Sequence, residues 1–339
     1  MKKKKNNICR MSVPGKIILT GEHAVLYGGP ALIVTINLFC NVLICSEPEK
    51  IKLEFLDINY FNTCTFYELQ KIQIKLKNLQ SDFFKKKTNI SLQDFEIIQY
   101  SIYRILKKLK FNFTSGLKIM IKSDIPIGCG MGSSAASIIG VNYAIMKYFQ
   151  NYIDDISQFL LALEIENIQH GKSSGIDLYT IINGGCYWFS NYINKKYKLI
   201  IDKLLIINTG KPISITRDCV LSCKKFFLSD KNLIKKFSVI AKTIKNSLLS
   251  YDKSSLICSV KYNHRLLVSI GVVPHKIQNL INHIEEAGGA AKICGAGSIS
   301  GEKGGIIWIV GEKKILTPVV RNQGYKIKEI HITYEGVYY

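Results

Sequence analysis

The segment Pro126 to Ala136, PIGCGMGSSAA, constrains the chain more tightly than any other stretch. It follows LKIMI (Leu117 to Ile121), which reads as a strand, and it leads into Ala135, Ala136, Ile138 and Ile139, where a helical run begins. The expected order is therefore strand, tight loop, helix. Gly128, Gly130 and Gly132 permit positive φ and let a ligand come close to the main chain. Ser133 and Ser134 add hydroxyls where the helix opens. Such a turn aims N–H groups and the positive end of the helix dipole at one point, which suits phosphate. The spacing is neither GxGxxG nor GxxxxGK[ST], because no lysine follows the last glycine. Taken alone, the loop leaves a packing turn and a phosphate site both open.

The flanking sequence alternates strand and helix signals. Lys16 to Leu19 reads as a strand entering the polar turn Thr20-Gly21-Glu22-His23, and Ala31 to Cys45 and Ile51 to Phe55 as further strands. Phe95 to Leu109 has helical spacing. Asp155 to His170 is expected to be a helix capped by Asp155, with Ile156, Phe159, Leu160 and Leu163 as its apolar stripe and Gly171 as its end. The stretch Lys172 to Phe189 reads as a loop followed by strand, and residues 183–194 as a border. Helices over Asp230 to Leu249 and Pro274 to Ala287, a glycine-rich region over Gly288 to Gly305 and a strand over Ile306 to Val310 complete the pattern.

Composition narrows the class. At 339 residues the chain exceeds one unit of about 150, and 47% hydrophobic with 21% charged residues is a globular balance. The start, MKKKKNNICR, has no apolar stretch or cleavage site of signal-peptide type. The most apolar segment, Ala31 to Cys45, is broken by Thr35, Asn37 and Asn41 and falls short of the ~20 residues of a membrane span. Ten cysteines without a CxxC pair point to reduced thiols. The expectation is a cytoplasmic protein without a membrane partner. A net charge of +21 invites a nucleic-acid reading. However, the runs Lys2 to Lys5, Lys85 to Lys87 and Lys107 to Lys110 are short and lack interleaved aromatics, so they read as solvated surface and no nucleic-acid partner is expected.

Glu166 lies three residues after Leu163 and four before His170, at the border of an apolar face, where a carboxylate is costly unless paired or bound to a cation. Asp177 follows in SSGID, where Gly175 frees the backbone to aim it. Magnesium takes hard oxygen ligands, commonly one or two from protein, and Ser134 with Glu166 fit that pattern. Asp177 suits proton removal from an acceptor hydroxyl, and Lys16 suits stabilisation of accumulating negative charge. His170 reads as a helix-end residue, and His264, His275, His283 and His331 form no metal set, so no zinc site is expected.

Three segments carry a resemblance. VPGKIILTGEHAVLYGGPAL (Val13 to Leu32), IPIGCGMGSSAA (Ile125 to Ala136) and KICGAGSISGEKGG (Lys292 to Gly305) resemble the three motifs of the GHMP kinases, ATP-dependent kinases of small molecules. Within that family the wording GEHAVLYG, and the separation of Glu166 from Asp177, look like the members that phosphorylate mevalonate. The resemblance implies an α+β, two-domain GHMP kinase fold with the active site in the interdomain cleft, residues 1–188 forming one domain and 189–339 the other. It implies ATP contacts at Lys16, Ser123, Gly128, Cys129, Gly130, Met131, Gly132, Ser133 and Ser134, and Mg2+ held by Ser134 and Glu166. Asp177 and Lys16 would be catalytic, and Glu22, His23 and Thr216 would contact substrate. ATP and mevalonate are the implied small-molecule substrates, and a homodimer stays an option. Alternatives are action on phosphomevalonate, transfer to the 3-hydroxyl of mevalonate, or a non-catalytic ligand-binding member. The chain departs from the family wording at Ser173, usually proline, at Leu178, usually asparagine, and in the third motif, which inserts Ser298, Ser300, Glu302 and Lys303.

Overall fold

The computed structural model describes residues 8–85, 94–110, 116–151, 153–170, 173–190 and 193–339. Lys2 to Lys5, Lys86, Lys87 and Gly171 lie outside the described residues, as does the side chain of His170. The chain builds two sheets with helices against them. The first sheet holds β1 (Cys9–Thr20), β2 (Ala31–Glu47), β3 (Ile51–Phe55), β4 (Tyr60–Cys64), β5 (Gly116–Ser123), β6 (Cys186–Ser190) and β7 (Ile193–Tyr197). Its order is β4-β3-β5-β2-β6-β7, with β1 paired antiparallel to β2. All its pairs are antiparallel except β3 with β5. The second sheet, built from β8 (Lys203–Asn208), β9 (Ala290–Cys294), β10 (Ile306–Val310) and β11 (Ile327–His331), is antiparallel in the order β11-β8-β10-β9.

Helices α1 (Phe66–Lys85), α2 (Asp94–Lys108), α3 (Ser133–Tyr148), α4 (Asp155–His170) and α5 (Ile176–Asn183) accompany the first sheet. The long helices α6 (Thr216–Ser229), α7 (Lys231–Ser250), α8 (Lys253–Ser269) and α9 (His275–Glu286), then α10 (Lys313–Asn322), accompany the second. One apolar core runs through both units, from Val13, Ile17 and Val42 of the first sheet to Leu204, Ile206 and Trp308 of the second. The C-terminal tail returns to the first sheet, where Ser12 and Tyr338 exchange backbone hydrogen bonds of 2.8 and 3.0 Å.

Three sequence expectations change. The run after Gly175 is the helix α5 rather than a loop followed directly by strand, because Gly175 takes a left-handed φ of 73° and its carbonyl accepts from the Tyr179 N–H. The cap of α4 is Asp154, whose carboxylate accepts from the Ser157 N–H at 2.8 Å, one residue earlier than expected. The buried stripe of α4 also turns. Ile156 and Leu160 are exposed, whereas Leu161, Ala162, Ile165 and Ile168 are buried with Glu166 among them. Apolar residues surround much of this helix, so periodicity alone did not select the face that α2, α3 and α5 cover.

The loop after β5 threads between the sheets. Its Met131 carbonyl accepts from the Lys16 N–H at 3.0 Å, and its Cys129 carbonyl accepts from the Ile306 N–H at 3.0 Å. Gly130 has φ 91° and faces the Cys294 carbonyl of β9. A Cβ there would run into that carbonyl, whereas one on Gly28, at a similar φ of 86°, would meet open space. Gly130→Ala is therefore expected to lower stability by about 2 kcal/mol or more, the strain of a left-handed non-glycine residue plus the displaced backbone. Gly28→Ala is expected to cost about 1 kcal/mol from backbone strain alone. Urea unfolding of the two variants checks the difference.

Candidate active site

A cleft of about 250 Å³ opens between the glycine loop, the end of β1, the start of α5 and the turn after β9. Its lining includes Lys16, Glu22, His23, Ser123, Gly128, Gly130, Gly132, Ser133, Ser134, Glu166, Asp177 and Thr216. Of the site residues expected from sequence, Cys129 and Met131 alone are outside that lining; both are buried in the loop backbone that shapes it. Helix α3 begins at Ser133, after Gly132 with φ 78°. An α-helix leaves its first N–H groups without intrahelical partners, and this helix start borders the cleft.

Two charged side chains occupy the cleft floor. Lys16 sits on β1 just past an irregularity in its pairing with β2, and its Nζ is 2.7 Å from Asp177 Oδ2. Lys16 is 3% exposed and Asp177 29%. The other carboxylate oxygen, Oδ1, is buried without a protein partner. Glu166, on α4, is 4% exposed and accepts a 2.7 Å hydrogen bond at Oε2 from the Ser173 hydroxyl. Burial, then the negative charge of Asp177, pushes its carboxyl up to about 7, against the weaker opposing pulls of Ser173 and Lys16. The neighbourhood thus holds more negative charge than its lysine neutralises. Oxygen donors with surplus negative charge fit a hard divalent cation. Among the described residues no cluster of three or more His, Cys, Asp or Glu stands ready to hold a metal, so such an ion would draw remaining ligands from water or phosphate.

The turn after β1 supplies the opposite wall. Glu22 is buried and ion-paired with Lys292 of β9, which is itself fully buried. Burial raises the Glu22 pKa and the lysine opposes that rise. Glu22 Oε2 has no protein partner. His23 takes φ 60°, and its Nε2 lies 3.0 Å from the Ala296 carbonyl. That carbonyl can only accept, so Nε2 carries the proton and the buried, unpartnered Nδ1 is an acceptor. Burial lowers the His23 pKa to about 4, which keeps the ring neutral near pH 7. The cleft's far arm is apolar, with Phe55, Ile58, Phe95, Ile98, Ile121 and Ile127 beside Asp57, whose Oδ2 accepts from the Ser123 N–H at 2.5 Å.

Lys292 and the hydroxyl of Ser173 escaped the residue-level sequence reading. The first had a signal: a lysine inside AAKIC, apolar on both sides of a strand, needs a buried partner. The second had none, since serine in a loop is ordinary. Thr209, which bonds the Gly305 carbonyl at 2.7 Å and accepts from the Gly304 N–H at 3.0 Å, shows how the altered third motif is closed. Ser298 and Ser300, inserted in that motif, hydrogen-bond with Ser214.

Its similarities place the chain among ATP-dependent kinases. Residues 98–185 of the chain match the GHMP kinases N terminal domain. Its similarity to named relatives runs nearly end to end. It is 29% identical to a mevalonate kinase of Methanocaldococcus jannaschii, over 90% of this chain and 92% of the relative. It is likewise 29% identical to a mevalonate kinase of Archaeoglobus fulgidus, over 94% of this chain and 99% of the relative. The solved mevalonate kinase of Methanococcus jannaschii superposes with a TM-score of 0.77 at 26% identity, covering 97% of this chain and 99% of that one. The chain is thus mevalonate kinase-like over most of its length. Among the described residues, no helix is long and apolar enough to cross a membrane.

Removing one member of the buried pair should expose its energetic role. Lys292→Met is expected to destabilise the protein by about 3–5 kcal/mol by leaving Glu22 buried and unpaired. Adding Glu22→Gln should recover most of that loss, as denaturant unfolding of the single and double variants would show. The buried histidines predict a pH effect. His264, like His23, is lowered by burial to about 4, whereas histidine in the unfolded chain titrates near 6.5. The unfolded chain then binds more protons between those values, so each histidine's contribution is present above 6.5 and is lost as pH falls towards 4. Its size is up to about 3 kcal/mol each at ~1.4 kcal/mol per unit. Glu166, raised to about 7, acts with the opposite sign between 4.5 and 7. Comparing urea midpoints of His264→Gln with those of the parent across pH 4.5 to 7 isolates the histidine: the variant should gain less on going to higher pH.

Proposed function

We propose that the chain transfers the γ-phosphate of ATP to the 5-hydroxyl of mevalonate, giving 5-phosphomevalonate and ADP. The observation that carries this reading is the Lys16–Asp177 pair at 2.7 Å, set between a phosphate-type loop and the Glu22–His23 turn. In it, Gly128 to Ser134 and the start of α3 cradle the ATP phosphates, and the apolar arm around Phe55 and Phe95 takes the base beside Ser123. Ser134 and Glu166 would hold Mg2+, which when bound neutralises phosphate charge. Lys16 holds Oδ2 of Asp177 and stabilises the oxygens that gain charge. The free Oδ1 accepts the proton of the acceptor hydroxyl as its oxygen bonds to the γ-phosphorus and the bond to the ADP oxygen breaks. Glu22, the neutral His23 and Thr216 lie where they can hydrogen-bond the acceptor.

Charge supports mevalonate over a phosphorylated acceptor. Among the described residues lining the cleft, Lys16 is the only lysine or arginine, and it is already paired with Asp177. A second phosphate would have to be neutralised from outside that lining, where Lys211 stands beside Gly128. Ile18, Val25 and Ile176 pack together beside the catalytic pair and offer an apolar wall to a short branched carbon chain. We take the two sheets, divided near residue 188, as the two units flanking the cleft; Ile193–Tyr197 nevertheless pairs with the first sheet. The reading leaves a homodimer as an option.

Asp177→Ala is expected to reduce turnover about 10²–10⁴-fold, or about 3–5 kcal/mol of transition-state stabilisation. An ADP-release assay with mevalonate and phosphomevalonate as acceptors checks both variant and substrate, and phosphorus-31 NMR of the product locates the new ester. Turnover with phosphomevalonate alone, a product esterified at the 3-hydroxyl, or near-normal activity of the variant would each overturn the corresponding part of the reading.

A further inference from the structure

We propose that Ser173 is a positioning residue for Glu166, holding this carboxylate so that its other oxygen serves the nucleotide-bound cation. The inference rests on the reading of Glu166 as a cation ligand and assigns a role to a residue at which the chain departs from the wording of the family it resembles.

The geometry around Ser173 fixes its hydroxyl. The oxygen accepts the Gly175 N–H at 3.1 Å, and the hydroxyl donates its single proton to Glu166 Oε2 at 2.7 Å. The Ser173 N–H donates to Asn167 Oδ1 at 2.7 Å, pinning the segment before α5 to the last turn of α4. Glu166 is held on α4 and Asp177 on α5, so Ser173 bridges the two helices that carry the carboxylates. Proline, usual in the resembled motif, has neither an N–H nor a hydroxyl and could make none of the three bonds in this form. A charged acceptor that is buried gains most from such a donor, because water does not reach it to replace the bond. Outer-shell hydrogen bonds to metal-ligating groups commonly set affinity by orienting the ligand.

The test compares binding with and without the cation, so that it reads the metal contribution separately from turnover and from folding. Calorimetry would measure the affinity of the parent, Ser173→Ala, Ser173→Thr and Glu166→Gln for a non-hydrolysable ATP analogue, first with Mg2+ and then with a chelator. In the parent, Mg2+ should strengthen binding. Ser173→Ala is expected to lose about tenfold of that strengthening, the lower end of the usual outer-shell effect, with metal-free affinity unchanged. Ser173→Thr, which keeps the hydroxyl, should restore it, whereas a purely structural defect would weaken binding in both conditions. A Ser173→Ala protein with the parent's full Mg2+ effect, while Glu166→Gln loses it, would overturn the positioning role and leave the Glu166 assignment standing. A full Mg2+ effect in Glu166→Gln would overturn the assignment of Glu166 itself, and the role of Ser173 with it.

Discussion

The buried ion pair between Glu22 and Lys292 is the constraint on which the cleft depends. Glu22 follows β1 of the first sheet and Lys292 lies within β9 of the second, and both are shut away from water. A charge in that position is tolerable only with its partner present, so the pair fixes how the two sheets meet. Nearby contacts follow from it. Thr20 bonds Asn263 of α8 at 2.8 Å, His23 bonds the carbonyl of Ala296, and Gly130 comes against Cys294 and Gly295. The third glycine motif reaches the first through that junction, and the loop's glycines are the residues that let two backbones approach so closely.

The same junction sets the protonation of the cleft wall that carries His23. Burial keeps His23 neutral and its hydrogen bond to a carbonyl chooses the tautomer, so a lone pair rather than a proton remains on Nδ1. Across the cleft, Lys16 neutralises Asp177 while Glu166 stands nearby with a raised pKa. In the proposed function, the balance of one lysine against two carboxylates is what would draw a cation to the site. The inserted serines of the third motif take no charge into this arrangement; Ser298 and Ser300 bond to Ser214 and tie the motif to the segment between β8 and α6.

Much of this was legible from sequence where the signal was local. The strand, loop and helix around Gly128 to Ser134 follow from glycine spacing and from the apolar runs on either side. The motif segments also pointed to Lys16, Glu166 and Asp177, which the fold brings to one cleft. Where a helix is apolar on several sides, as α4 is, local pattern could not say which side would be covered, and the stripe assigned to Ile156 and Leu160 faces solvent. The short helix α5 was hidden for a related reason: eight residues rich in Ile and Leu fit strand and helix patterns alike until Gly175 turns the chain.

The sequence by itself determined the glycine turn between strand and helix, the presence of residue types suited to phosphoryl transfer and the mixed α and β character, because each is written in spacing over a few residues. Tertiary structure alone decided that Asp177 meets Lys16 across 161 positions of the chain, that Lys292 answers Glu22, and that Ser173 reaches Glu166. Those pairings depend on how two sheets and two helices pack in space, and the energy of a buried charge is set by what packing places beside it rather than by its neighbours in sequence.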